Sequence, residues 1–150
     1  MFLRDYESQD CPALARLFYD TVHSVNLRDY TQAQVEAWAP GPVDLASWDA
    51  SLTVHHALVA EENGVILGFA DMAPDGYLDR LYVHRDHQSC GIATALCDAL
   101  EAASAAARFT THASLTARPF FEKRGYRVVK AQQVERRGVF LTNFVMEKLR

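Results

Sequence analysis

The stretch from Val83 to Thr94 constrains the fold most, because it passes from an apolar strand through a tight turn into the start of a helix. The first backbone N–H groups of a helix have no partner within it, and together with the helix dipole they favour an anion. Gly91 and Ala93 are small, so a pyrophosphate can approach the backbone closely. The sequence therefore predicts a site for a phosphorylated cofactor at this turn.

Two familiar phosphate-binding motifs are missing from the turn. It lacks the Gly-Lys-Ser/Thr ending of a P-loop, and it lacks the three-glycine fingerprint of dinucleotide-binding proteins. ATP bound in the usual way and NAD are therefore not expected. A glycine at a helix start also occurs without any ligand, so the turn by itself leaves a purely structural role open.

The patterns on both sides of the turn predict one sheet flanked by helices. Short apolar runs bounded by turn residues predict strands at residues 1–7, 57–60, 65–73, 77–83, 108–114, 128–135 and 140–148. Helical spacing or capping residues predict helices at about residues 11–25, 31–39, 91–107 and 117–124. The stretch 43–53 has no clear period and is expected to be irregular or weakly helical. No repeat or linker divides the chain, so we expect a single domain over residues 1–150.

The bulk composition excludes several classes of protein. A net charge of −4 without a run of Lys or Arg argues against nucleic acid as a partner. The three cysteines lack the spacing of a disulfide framework, which indicates reduced thiols. The charged first ten residues contain no secretory signal, and no apolar stretch approaches the ~20 residues that cross a bilayer. We therefore expect a soluble cytoplasmic protein that does not bind membranes.

Two ordered segments carry a resemblance to a known family. Gln88 to Ala93 resembles the signature Gln/Arg-x-x-Gly-x-Gly/Ala of the GCN5-related N-acetyltransferase (GNAT) family, and Ala117 to Tyr126 resembles its second block, which ends in Glu-Lys-x-Gly-aromatic. The resemblance covers most of the chain. It implies an α/β (α+β) fold with a mixed, mostly antiparallel central sheet of six to seven strands and about four helices. It also implies an N-acetyltransferase that moves an acetyl group from acetyl-coenzyme A to a primary amine by direct attack on the thioester.

The resemblance assigns cofactor roles along this segment. Amides of the turn and the Thr94 hydroxyl would hold the pyrophosphate, and main-chain groups of Leu81 and Val83 would pair with the pantetheine arm. Ser114 stands where the family often has Asn. Phe121 stands where many members have the Tyr that protonates the leaving thiolate. The expected cofactor-binding residues are Leu81, Tyr82, Val83, Gln88, Ser89, Cys90, Gly91, Ile92, Ala93, Thr94, Ser114 and Phe121.

Asp79 is the candidate general base, because it precedes Leu81 by two residues at a position where the family often carries an acid. A lysine-like amine has a reference pKa of ~10.4, so it must lose a proton before it attacks a thioester. A structural pairing of Asp79 with Arg80 stays open. Because Phe121 cannot donate a proton, the leaving thiolate needs no dedicated acid or takes its proton from Tyr82, Tyr126 or water; Tyr126 is our second catalytic candidate.

Four residues are candidates for acceptor binding from their positions alone: His23, Tyr30, Trp38 and Asp71. The helices that carry the first three cover the acceptor cleft in the family. For each of the four, a role in packing, capping or the strand end stays open. The acceptor itself, a small-molecule amine or a protein amine, is not identified by the sequence, and a homodimer formed through the last strands is possible.

Single features of the sequence are compatible with three other functions. A sensor that binds acyl-coenzyme A without turning it over is favoured by Phe121. A metal site at His84, His87, Cys90 and Cys97 is not expected, because this segment already forms the proposed phosphate turn. A hydrolase is not expected either, since Ser89-Cys90-Gly91 matches only half of a nucleophile elbow and the chain is short for that fold.

Overall fold

The computed structural model describes all residues from Met1 to Arg150 and contains a seven-stranded sheet with five α-helices. The strands are β1 (Phe2–Asp5), β2 (His56–Glu62), β3 (Val65–Met72), β4 (Tyr77–Val83), β5 (Arg108–Ser114), β6 (Arg127–Arg136) and β7 (Val139–Leu149). The helices are α1 (Cys11–Val22), α2 (Gln32–Trp38), α3 (Leu45–Val54), α4 (Ile92–Ala103) and α5 (Arg118–Lys123). The mixed, mostly antiparallel sheet that we expected is confirmed, with one more helix than predicted. None of the helices combines the length and apolar character of a membrane span.

The sheet contains one parallel pair of strands, β4 and β5, and the two strands separate along part of their length. The strand order is β1-β2-β3-β4-β5-β7-β6, and every neighbouring pair except β4 and β5 is antiparallel. β4 and β5 are paired only at Tyr77 with Thr110 and at Leu78 with Thr111. Beyond these residues the two strands diverge. The divergence leaves a gap in the middle of the sheet.

Two apolar clusters cover the two faces of the sheet. One packs α4 and α5 against the sheet through Leu96, Leu100, Phe109, Phe121 and Met146, among others. The other packs α1, α2 and α3 on the opposite face through Leu14, Val22, Val35, Leu52 and Phe69. At Gly68 of β3 an added Cβ would lie 3.1 Å from the Cγ2 atom of Ile92. This glycine therefore lets the start of α4 lie directly on the sheet, beside the end of β4.

Two predicted segments differ from the structure. The stretch expected to be irregular or weakly helical contains a regular helix, α3, which begins after Asp44, whose Oδ1 accepts a hydrogen bond of 3.2 Å from the Ser47 amide. Its apolar residues do not form a single stripe, so the sequence lacked a helical period. The helix expected to reach residue 107 ends at Ala103, because Ser104 is extended and its hydroxyl accepts from the Ala106 amide.

Candidate active site

A cavity of about 390 Å³ occupies the gap between β4 and β5. Its walls come from both strands, the turn before α4, the start of α4, α5 and the segment between α1 and α2. The predicted site residues that line it are Trp38, Asp79, Leu81, Tyr82, Val83, Gln88, Ser89, Gly91, Ile92, Ala93, Thr94, Ser114 and Phe121. The fold thus brings most of the predicted cofactor residues and the candidate base to one cavity.

The turn before α4 presents a helix start that no side chain caps. Gly91 is the N-cap residue, with a φ of 82°, and it makes no side-chain cap hydrogen bond. Ser89 is also left-handed, with a φ of 59°. The Gln88 side chain braces the turn, because its Nε2 donates to the Val83 carbonyl at 2.7 Å. The first amides of α4 are therefore held in place and free to bind an anion.

The last residues of β4 are partly available for a ligand. Beyond Leu78 no residue of β5 pairs with them, so main-chain groups that face the gap, such as those of Leu81, have no strand partner there. The Val83 carbonyl differs, because it already accepts from Gln88 and from the Thr21 hydroxyl at 3.2 Å. We expected Val83 to pair with the pantetheine through its main chain; its carbonyl is committed to the fold.

The segment between α1 and α2 closes the cavity, and two of our acceptor candidates serve to hold it. The Tyr30 hydroxyl donates to the Thr142 carbonyl at 2.7 Å and accepts from the Leu115 amide at 2.9 Å. His23 Nε2 lies 2.7 Å from the Ala39 carbonyl, and its ring stacks on Tyr19. Neither residue lines the cavity. Their predicted contact with the acceptor is therefore not supported, because both polar groups are used within the fold.

Asp79 lies at an irregularity of the sheet that turns it toward the cavity. The register between β3 and β4 shifts next to Met72, so that Asp71 pairs with Arg80 and Met72 pairs with Leu78. Asp79 is left without a partner on β3, and 32% of its side chain is exposed. Its Oδ2 lies 3.4 Å from Nη1 of Arg80. The pairing with Arg80 that the sequence left open is present, and the carboxylate remains accessible.

Asp71 lies behind Asp79 and does not line the cavity. It is completely buried, and its Oδ2 accepts from Arg80 Nη1 at 2.5 Å and lies 2.8 Å from His55 Nδ1. Burial raises the pKa of Asp71, and the neighbouring Arg80 and His55 oppose that shift. The predicted contact of Asp71 with the acceptor is therefore not supported, since its carboxylate is completely buried and does not line the cavity.

The same residues could suggest a metal site. Potential ligand atoms of His55, Asp71 and Asp79 all lie within 4.8 Å of one another. The Arg80 guanidinium, however, contacts both carboxylates. A metal ion would have to share this space with a fixed positive charge, which is unfavourable. We therefore assign the cluster to an ion-pair network.

The four residues of the alternative metal site do not all come together, although the rings of His84 and His87 lie 5.3 Å apart. Cys90 is exposed, lies outside the cavity, and its Sγ bonds back to the Gln88 carbonyl at 3.4 Å. Cys97 is buried in the cluster beneath α4, and burial raises the pKa of its thiol to about 12. The two cysteines therefore lie in different environments, one exposed and one buried.

Tyr126 does not reach the cavity either. Its side chain is 3% exposed, and its hydroxyl donates to Oε2 of Glu101 at 2.9 Å. Burial, and then the negative charge of Glu101, raise the pKa of Tyr126. Arg124 and Lys148 bind the same carboxylate. The predicted catalytic role of Tyr126 is therefore not supported, because the residue belongs to a buried polar network with Glu101.

We expect Tyr126→Phe to leave kcat within about twofold of the unchanged protein, because no reacting atom touches the hydroxyl. The variant should lose about 1.5–3 kcal/mol of unfolding free energy, the contribution of one hydrogen bond to a charged group. Urea denaturation and steady-state kinetics measure the two effects. A folded variant with a tenfold lower kcat would restore Tyr126 as a proton donor.

Sequence reasoning missed several residues that line the cavity. Asn26 is 6% exposed, and its side chain makes no hydrogen bond within the protein. Arg28 and His112 are exposed and line the same cavity. Asn26 and Arg28 lie in a short 3₁₀ turn, where no hydrophobic period marks a position as facing inward. His112 alternates with buried neighbours on β5, and that alternation was a signal that could have found it.

Comparison with known proteins agrees with this architecture. The family model described as an acetyltransferase (GNAT) domain matches residues 26–148. The chain is 34% identical over 144 residues to the uncharacterized N-acetyltransferase YafP of Escherichia coli (strain K12), a match that covers 96% of this chain and 93% of that protein. A GCN5-related N-acetyltransferase from Rhodopseudomonas palustris has a crystal structure that matches at a TM-score of 0.93 and 36% identity, over 99% of this chain and 95% of that one.

A more distant structure shares the fold. The PaiA N-acetyltransferase of Thermoplasma acidophilum, solved in complex with coenzyme A, matches at a TM-score of 0.80 and 16% identity, over 99% of this chain and 98% of that one. The family model itself spans the turn, β4 and most of the cavity walls. The chain therefore belongs to the GNAT acetyltransferase family and is an acetyl-coenzyme A-dependent N-acetyltransferase.

Proposed function

We propose that the protein transfers the acetyl group to a primary amine that enters the cavity beside Asp79 and attacks the thioester directly. One observation carries this proposal: the uncapped start of α4 and the accessible carboxylate of Asp79 line the same cavity. The first can bind the phosphates of the donor, and the second can take a proton from the acceptor. No covalent acyl-enzyme is needed when both substrates occupy the cavity together.

The polar and apolar parts of the cavity indicate how the cofactor binds. The pyrophosphate binds the amides from Gln88 to Ala93, which the helix dipole of α4 favours. The pantetheine arm lies along the open side of β4, where Leu81 offers main-chain groups. Phe121 packs beside the arm as an apolar wall. Ser114 Oγ accepts from the Ala117 amide at 3.0 Å, so its first role is to hold the turn that precedes α5.

The proposed reaction moves one acyl group and two protons of the acceptor ammonium. Asp79 accepts a proton from the acceptor ammonium, directly or through a water, and the freed amine forms a bond to the thioester carbon. A main-chain amide of β4 stabilises the oxyanion. The carbon–sulfur bond then breaks. The thiolate is a good leaving group, with a reference thiol pKa of ~8.5, and it takes the second proton of the acylated nitrogen through water, so neither Phe121 nor Tyr126 is required.

The acceptor side of the cavity combines an aromatic ring, an amide and charges of both signs. Trp38 is half-buried and packs edge-on against Tyr30, while Asn26 and Arg28 offer polar groups to an acceptor. The acceptor is proposed to be a small-molecule amine or the amine of a protein, matched to these groups. We also propose a cytoplasmic location, supported by three free thiols, and a possible homodimer through the free edge of β6.

A thiol-release assay tests the proposed function. With acetyl-coenzyme A and a panel of small amines and peptides, we expect release of free coenzyme A that depends on the amine. The competing function is a sensor that binds acyl-coenzyme A without turnover, which the absence of a tyrosine at position 121 favours. Calorimetric binding of acetyl-coenzyme A without amine-dependent release across the panel would support the sensor and contradict the transferase.

A further inference from the structure

We propose that Asp71 and His55 are positioning residues for the reaction: together with Arg80 they hold the Asp79 carboxylate in the orientation that accepts the acceptor's proton. The proposal rests on the function proposed above, in which Asp79 is the base. No sequence motif marks Asp71 or His55 for such a role. The geometry around the buried Asp71 carboxylate points to it.

Three elements converge behind Asp79. His55 follows α3, Asp71 lies on β3 and Arg80 lies on β4. A single oxygen of Asp71, Oδ2, binds Arg80 Nη1 at 2.5 Å and His55 Nδ1 at 2.8 Å. Because a carboxylate only accepts, Nδ1 of His55 carries the proton in this contact. The buried carboxylate thus fixes the orientation of the imidazole and of the guanidinium.

Both fixed groups face Asp79. Its Oδ2 lies 3.4 Å from Arg80 Nη1 and 3.9 Å from His55 Nδ1. Arg80 is itself held from two other sides, since Nη2 donates to the Ser51 hydroxyl at 3.2 Å and the guanidinium lies 4.8 Å from the centre of the Trp48 ring. Asp79 therefore lies beside a guanidinium and an imidazole whose positions do not depend on it, in charge contacts rather than hydrogen bonds. These contacts favour one orientation of its carboxylate.

The arrangement costs stability, which favours a functional explanation. Asp71 is completely buried, yet its Oδ1 has no hydrogen-bond partner. A buried, half-satisfied carboxylate is destabilising compared with an apolar residue of similar volume. Sites where local rules are broken in this way tend to be functional.

A double-mutant cycle tests the proposal. We expect Asp71→Asn to lower kcat by about tenfold or more, because a neutral amide binds Arg80 and His55 weakly, while the calorimetric Kd for acetyl-coenzyme A stays unchanged. In the background of Asp79→Asn, the same change should have no further effect. Two residues that act through one group give such non-additive losses, whereas a general loss of structure gives losses that multiply.

The outcomes separate this proposal from the proposed function. Full activity of Asp79→Asn would overturn Asp79 as the base. A large effect of Asp79→Asn combined with a normal kcat for Asp71→Asn, or with losses that multiply, would overturn only the positioning role. If Asp71→Asn does not fold, His55 provides the second comparison. His55→Asn keeps a donor close to the Nδ1 position, so it should retain several-fold more kcat than His55→Leu; equal loss in both would also overturn the proposal.

Discussion

Asp79→Asn is expected to lower kcat/KM for amine acetylation by about 10²–10⁴-fold, the usual contribution of a general base. The change removes the accessible carboxylate of the cavity and leaves its volume almost the same. An acceptor amine with a reference pKa of ~10.4 then stays protonated near neutral pH, with no group to accept its proton. Affinity for acetyl-coenzyme A should not change, because the phosphate turn and the open side of β4 are untouched.

The pH profile of this variant distinguishes a missing base from a damaged site. As the pH approaches the pKa of the amine, a growing fraction of the amine is already deprotonated and needs no base. The activity of Asp79→Asn should therefore recover toward that of the unchanged protein. Asp20→Asn is the matched control: it makes the same chemical change at a carboxylate on α1, outside the cavity, that pairs with Arg16. Near-normal kcat/KM of Asp79→Asn at every pH would show that Asp79 is not the base.

Gly91→Val is expected to abolish measurable binding of acetyl-coenzyme A, a loss of about 100-fold or more. A β-branched residue is strained at a φ of 82°, and its side chain would also project at the turn where the phosphates approach the backbone. Because the amides of the turn must be at fixed positions to bind two phosphates, a small shift of the turn removes several hydrogen bonds together. Isothermal titration calorimetry measures the effect.

The variant Gly138→Val is a control that distinguishes backbone strain from the loss of ligand contact. Gly138 has a φ of 79° and, like Gly91, open space around the position of an added Cβ, but it lies in the turn between β6 and β7. Both variants should therefore lose similar stability in thermal unfolding, while only Gly91→Val should lose affinity for the cofactor. Equal cofactor affinity in the two variants would contradict the assignment of the turn as the phosphate site.

The anion-binding turn shows how much of this site could be predicted. Its function depends on contiguous residues: a strand end, a glycine that tolerates a left-handed backbone, and the first amides of a helix. Such local geometry is encoded locally, and the resemblance to GNAT sequences added the identity of the cofactor. The fold class followed for the same reason, since strand and helix periods are local patterns.

The acceptor side shows where sequence reasoning failed. Three of the predicted polar residues lie on elements near the cavity: Tyr30, His23 and Tyr126. The polar group of each forms a hydrogen bond within the fold instead. Whether a hydroxyl faces a ligand or a carbonyl more than 100 residues away, as it does for Tyr30, is decided by packing between distant elements. The spacing of residues along the sequence does not indicate which distant groups will pair.

The sequence by itself predicted the helix start that binds an anion, the strands around it and a carboxylate two residues before Leu81. Only the tertiary structure decided that β4 and β5 diverge after Leu78, and that a register shift turns Asp79 toward the resulting cavity. It also decided that Asp71 lies behind Asp79 as a buried partner of Arg80. The physical reason is that backbone conformation is set by near neighbours, whereas side-chain burial and charge pairing are set by elements that meet only after folding.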